Sequence, residues 1–210
     1  ARVSELEPKI GAVQKALNEQ NSQMATIDAK KLALEKQISV IDGHELPLLR
    51  QSETKAEQQL KSVAEKLAAV AKELDRIKAR IPQIKPEIEA TQKESSVLAR
   101  KPNLSPEERQ RLRDLRNKYI ELHKERSQLA LSEHENKRQF EQIQKRELPP
   151  VEAAYNKANV ALVAAEAKRA KLVQDREALV QQIASIQAEI TRLSESISED
   201  FKAAYLAAIT

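Results

Sequence analysis

Three histidines, two glycines and many carboxylates are the residues from which a reaction centre could be built. His123 and His134 are 11 residues apart, about three turns on one helix face, too far to share one metal ion. His44 is remote from both. None of the three follows a glutamate by three residues, so the Glu-x-x-His arrangement of di-metal bundles is missing. Gly11 and Gly43 stand alone in helical contexts, which excludes a glycine-rich phosphate loop. Cysteine is absent, so there is no thiol nucleophile, thiolate metal site or disulfide. A carboxylate working as general acid or base needs a concave site that displaces its pKa. Here the carboxylates are interleaved with Lys and Arg at helical spacing, as in the i,i+4 pairs Glu107–Arg111 and Asp114–Lys118. No catalytic, cofactor-binding or metal-ligating residue emerges, and the chain is read as a non-enzyme.

The charged feature that could hold a ligand lies near the middle. The net charge of the chain is +4. From Arg100 to Lys118 there are seven basic and three acidic residues, so this window carries the whole excess. Arg109, Arg113 and Arg116 fall on one helix face, with Arg100 and Lys101 just before them. These five residues form a candidate contact tip for phosphate or an acidic partner. Aromatic residues for base stacking are missing apart from Tyr119, so any nucleic-acid contact is expected to ignore base sequence. Against the contact reading, Glu107, Glu108 and Asp114 neutralise part of the strip.

What positions these residues is helix. From Val3, steps of three and four reach Leu6, Ile10, Val13, Leu17, Gln20, Met24, Ile27, Lys31, Leu34, Ile38 and Ile41. This heptad stripe is the signature of a coiled-coil seam. A second seam runs Leu60, Val63, Leu67, Val70, Leu74, Ile77, Ile81, Ile84 and Ile88. A third runs Leu112, Leu115, Tyr119, Leu122, Leu129, Phe140 and Ile143, weakened by Arg126, Glu133 and Asn136 in the stripe. The last runs Tyr155, Ala158, Leu162, Ala165, Leu172, Leu179, Ile183, Ile186, Ile190, Leu193 and Ile197. Val163, Val173 and Val180 widen it, as for a helix touching two neighbours.

Punctuation separates the seams. Gly43 in residues 42–47 suits a left-handed helix end, and Pro47 cannot continue the hydrogen-bond ladder. Pro82 and Pro86 predict a kink or brief interruption at 81–86, and Pro149-Pro150 a break at 147–150. The strongest reversal is at 102–105. Ser105 is an N-cap, Pro106 the first helical residue, and Glu107 and Glu108 meet the positive end of the helix dipole. The fold class is therefore all-α, an elongated antiparallel coiled coil: an N-terminal arm over 1–101, a tip turn at 102–105 and a C-terminal arm over 106–210. The alternative turns the Leu-Pro breaks into reversals and makes an up-down rod of four helices of roughly 40 to 50 residues. A shift of 102 residues superposes Glu45-Leu46-Pro47 on Glu147-Leu148-Pro149 and Ile81, Ile84 and Ile88 on Ile183, Ile186 and Ile190, as an internal duplication would.

Composition agrees. Aromatics are 2% and charged residues 32%, the balance of long helices on narrow seams rather than a thick core. No apolar run approaches the roughly 20 residues that cross a bilayer, and no signal-peptide pattern opens the chain. The lack of cysteine leans towards a bacterial periplasmic or secreted setting. The terminal FKAAYLAAIT places Phe201, Tyr205, Leu206 and Ile209 on an apolar docking face. In periodicity the chain resembles the antiparallel coiled-coil arms found in chromosome-maintenance ATPases, periplasmic adaptor proteins and rod-like bacteriocins. The first expectation is a spacer or arm that presents its ends to partner proteins, and a self-assembling homo-oligomeric coiled coil is a further alternative. Nucleic acid or another anionic surface at the basic tip is the second expectation, and no cofactor is expected.

Overall fold

The computed structural model describes residues 2–209, without the side chains of 2, 3, 205 and 207–209. The seam residue Val3 and the terminal residues Tyr205 and Ile209 therefore lie outside the described side chains. The fold is an all-α antiparallel coiled-coil hairpin. Helix α1 spans Arg2–Val40, α2 Leu46–Ala99, α3 Pro106–Gln142 and α4 Leu148–Ile209. A single turn of π-helix joins α1 to α2 (Ile41–Glu45) and another joins α3 to α4 (Ile143–Glu147). The chain divides into two compact units, one made of 1–52 with 159–210 and the other of 53–158.

In the unit 53–158, buried and half-buried residues of α2 alternate in steps of three and four. Naming seam positions a and d, Leu60, Leu67, Leu74, Ile81 and Ile88 are a, and Val63, Val70, Ile77, Ile84 and Thr91 are d. Ile77 and Ile84 are fully buried and pack with Ile88, Leu122 and Leu129. Thr91 is the polar exception; its hydroxyl donates to the Glu87 carbonyl, 2.8 Å away, so it is buried satisfied. Pro82 and Pro86 lie inside α2, which passes through 81–86 without the expected interruption. Both prolines are on the exposed face. The carbonyls they leave without a donor face water, and the isoleucines beside them hold the seam, which offsets the ~3 kcal/mol helix penalty.

In the unit of 1–52 with 159–210, the seam of α1 runs from Leu6 to the buried Ile38 and Ile41. Ile41, Leu46 and Ala165 form its best-buried cluster, flanked by Leu49, Leu162 and Leu172. From Ile41 to Leu46 the step is five residues, where the heptad asks for four. In an α-helix at 100° per residue, that extra residue would swing Leu46 off the seam. The π turn absorbs it: the Leu46 amide donates to the Ile41 carbonyl, five residues back. Pro47, which has no amide to donate, follows directly. The same sequence, Ile-x4-Leu-Pro, recurs at Ile143, where the Leu148 amide donates to the Ile143 carbonyl. The helix continues through both Leu-Pro sites, so neither is a chain reversal and the four-helix rod is excluded. Val163 and Val180 are exposed, and no second neighbour covers them among the described residues. Phe201 and Leu206 of the terminal face are exposed too.

Gly43 is not a left-handed helix end, since no described glycine has positive φ. A β-carbon there would meet nothing within 4 Å. Gly43→Ala is therefore expected to stabilise the protein by about 0.5–1 kcal/mol in urea unfolding, whereas a left-handed residue would give a loss. Ile77→Ala is expected to cost about 2–5 kcal/mol, and Leu131→Ala, at 73% exposure, under about 0.5 kcal/mol.

Candidate contact surfaces of the hairpin

The turn between α2 and α3 is short and tied at both sides. The Lys101 amide donates to the Leu98 carbonyl at 3.2 Å, closing the last turn of α2. Pro102 follows and ends the ladder. At the start of α3 the Ser105 hydroxyl accepts from the Glu108 amide (3.2 Å), and the Glu108 carboxylate accepts from the Ser105 amide (3.0 Å). This reciprocal capping box satisfies two amides that the helix cannot. Glu108 also binds Lys101 at 2.7 Å. That ion pair and the Ser105 amide hold its carboxyl below the usual range. Glu107 is lowered as well, by amide hydrogen bonding within the first turn and by Ser105.

The five residues of the candidate tip meet different fates. Lys101 is used in the pair with Glu108. Arg109 donates from Nε to the Leu104 carbonyl at 3.2 Å. Arg100, Arg113 and Arg116 are exposed and make no ion pair among the described residues. The i,i+4 pairs read from sequence at Glu107–Arg111 and Asp114–Lys118 are not formed. Arg111 reaches across to Glu94 on α2, and Asp114 accepts from Gln110 at 2.9 Å. Helix α2 supplies a closer carboxylate than α3 does.

This crossing belongs to a pattern that sequence reasoning missed. In antiparallel pairing, the g positions of one helix meet the g positions of the other along one flank. On α2 these include Arg80, Glu87 and Glu94; on α3 they include Glu125, Lys118 and Arg111. Arg80 bonds Glu125 and Glu87, each at 2.7 Å. The Arg80 guanidinium holds both carboxyls below the ordinary glutamate range, with Lys118 adding a weaker pull on Glu87. Each of these three rungs sets opposite charges against each other. The signal was in the sequence, in the seven-residue spacing of charges beside each seam, but only a known helix pairing turns that spacing into contacts. In the other unit, Asp42–Arg169, Glu45–Lys168 and Arg50–Glu166 tie the first π turn and its flank to α4. Arg169 holds the Asp42 carboxyl down.

The opposite flank of the 53–158 hairpin carries the e positions. Gln92 and Arg116 face each other there and, with Ser95, Tyr119 and the 63%-exposed Ile120, line a groove of about 350 Å³ open to solvent. The His123 ring meets Tyr119 edge-on, centroids 4.5 Å apart, and its Nε2 is buried without a hydrogen-bond partner. Among the described residues, no three His, Asp or Glu gather where they could hold a metal.

No protein-family model matches the chain. No curated protein matches it either. Among solved structures, a coiled-coil segment of Smc from Pyrococcus yayanosii is similar over 95% of this chain and 93% of its own, at 20% identity and a TM-score of 0.48. That likeness is one of helical form alone. No described helix is long and apolar enough to cross a membrane.

Two outcomes test the g flank. Glu94→Arg or Arg111→Glu alone is expected to lower stability by up to about 1 kcal/mol, and the double swap to restore it. The carboxyls of Glu87 and Glu125 are depressed on folding, so their contribution is complete above the unfolded value near about pH 4.3 and is lost as pH falls through the folded value. The melting temperature should therefore hold from neutrality to about pH 5 and drop below about pH 4, with a shallower drop in Arg80→Gln.

Proposed function

We propose that this chain is a non-enzymatic coiled-coil arm that presents its turn at 100–105 and its terminal helices to partner proteins. The observation that carries the reading is how the charged groups are used. Each described carboxyl with a displaced pKa belongs to an ion pair or a helix cap: Asp42, Glu73, Glu87, Glu107, Glu108, Glu125 and Glu189. Perturbed groups at catalytic sites are aimed at a substrate; these are aimed at the fold itself. The apolar residues are likewise spent along the seams. Such a molecule fixes the distance and direction between what binds at its extremities, and its matched flank resists slippage of one helix on the other.

The second reading, an anionic partner at the tip, rests on Arg100, Arg113 and Arg116, which have no carboxylate partner. It is narrower than the five-residue strip, because Lys101 is neutralised by Glu108. Contacts with phosphate of this kind weaken steeply with salt.

The arm reading is tested with a photo-crosslinking amino acid placed at Asn103, Lys66 or Glu5 in cells that make the full protein. Adducts with other proteins are expected from Asn103 and Glu5 and not from Lys66. Adducts spread evenly over the three positions, or with the same chain alone, would contradict an end-presenting arm and favour lateral self-assembly.

A further inference from the structure

The two flanks of the 53–158 hairpin are electrically unlike. Along the g flank Arg80 and Arg111 each bind a carboxylate of the facing helix. Along the part of the e flank nearest the turn, from Lys78 to Gln92 on α2 and from Arg109 to His123 on α3, the cations have none among the described residues. Lys78 and Lys85 repeat the position of Gln92 two heptads and one heptad earlier on α2, and Arg109 repeats that of Arg116 one heptad earlier on α3. All four are exposed, and none makes an ion pair among the described residues. Asp75 and Glu89, near Lys78 and Lys85 in sequence, form no ion pair with them. Between Lys78 and Gln92 on α2 and between Arg109 and His123 on α3 no e position carries a carboxylate.

An apolar element lies among these cations. The groove beside Arg116 is floored by Tyr119 and Ile120, and Ile120 is largely exposed. The other groove near the turn, past Val97 and Leu98, is rimmed by Lys101–Glu108 and Arg111–Glu94, so its charge is already balanced. Of these two grooves, the one on the e flank combines an apolar floor with unbalanced positive charge.

We propose that this flank is the docking groove for an acidic amphipathic helix of a partner protein, laid alongside α2 and α3 as a third strand. The inference rests on the reading of the chain as a protein-binding arm. The cations recur every seven residues, about 10.5 Å along each helix, which is the pitch at which any helix repeats its own flank. A partner helix with Glu or Asp at that interval meets Lys85 and Arg116 in register while an apolar residue covers Ile120. Free phosphate chemistry does not need the apolar floor; a helix with a hydrophobic face does.

The probe is a fluorescein-labelled helical peptide of about four heptads, with Leu on one face and Glu bordering it at seven-residue intervals. It is titrated against the full chain by anisotropy, beside a duplex DNA oligonucleotide. Binding of the peptide is expected, weakened at least about tenfold by Lys85→Glu with Arg116→Glu and by Ile120→Asp. All three positions are exposed, so unchanged thermal melts keep the variants interpretable. Absence of peptide binding, or binding indifferent to Ile120→Asp, overturns the proposal. So does duplex binding that is lost in the charge variants and kept in Ile120→Asp, which makes the flank a phosphate surface. If the peptide fails while crosslinks from Asn103 persist, the groove is wrong and the arm reading stands.

Discussion

Everything in this molecule depends on keeping one narrow apolar stripe in phase over long helices. A seam residue recurs every 3.5 positions on average, so each helix turn offers its neighbour one or two side chains and no more. There is no thick core to compensate for a slip. One unmatched insertion would rotate all later seam residues towards water. The two π turns answer that threat. At Ile41 and at Ile143 the sequence carries one residue too many for the heptad, and in both places the helix widens for a single turn and resumes on the stripe. Prolines sit just beyond, at Pro47 and Pro149, where the ladder is already rearranged. That the two turns share Ile-x4-Leu-Pro at a separation of 102 residues, with in-phase seams around each, makes them the same device used twice.

The polar residues complement this economy. A narrow stripe of Leu, Ile and Val says little about which way a partner helix runs or by how many heptads it is offset, because each layer resembles the next. The charges beside the stripe do specify it. In the observed antiparallel register Arg80 meets Glu125 and Glu94 meets Arg111, whereas a slip of one heptad sets Arg80 against Lys118 or Glu87 against Glu125. Individually such exposed pairs contribute little to stability. Their worth is in excluding alternatives, as flanking charges do in other coiled coils. The capping box at Ser105 and Glu108 adds the last constraint, fixing where α3 begins and so the register of the first rung.

The stripes, the Ser105 start and the absence of a helical membrane span were legible in the sequence, because each is a local pattern with one dominant physical cause. Burial of Ile77, Ile84 and Leu122 follows the stripes position by position. The Leu-Pro sites were harder. A five-residue step between Ile41 and Leu46 is visible on paper, but helix interruption and helix widening both satisfy it, and proline suggests the former. Packing of Ile41, Leu46 and Ala165 decides for the latter. At Pro82 and Pro86 local propensity allows a kink or an interruption, and the helix runs on without interruption with the seam in phase. The basic tip was read by counting charges, which cannot reveal that Lys101 and Arg111 have carboxylates of their own.

The account stands or falls on register within one chain, and the lack of native cysteine makes that directly measurable. Paired cysteines replacing Arg80 and Glu125 should be joined within single molecules by a short bismaleimide at high dilution. Cysteines replacing Arg80 and Ser132, one heptad out of register, should react far more slowly. Faster joining of the displaced pair, or linkage of the matched pair only between two chains, would contradict an intramolecular hairpin held by this seam.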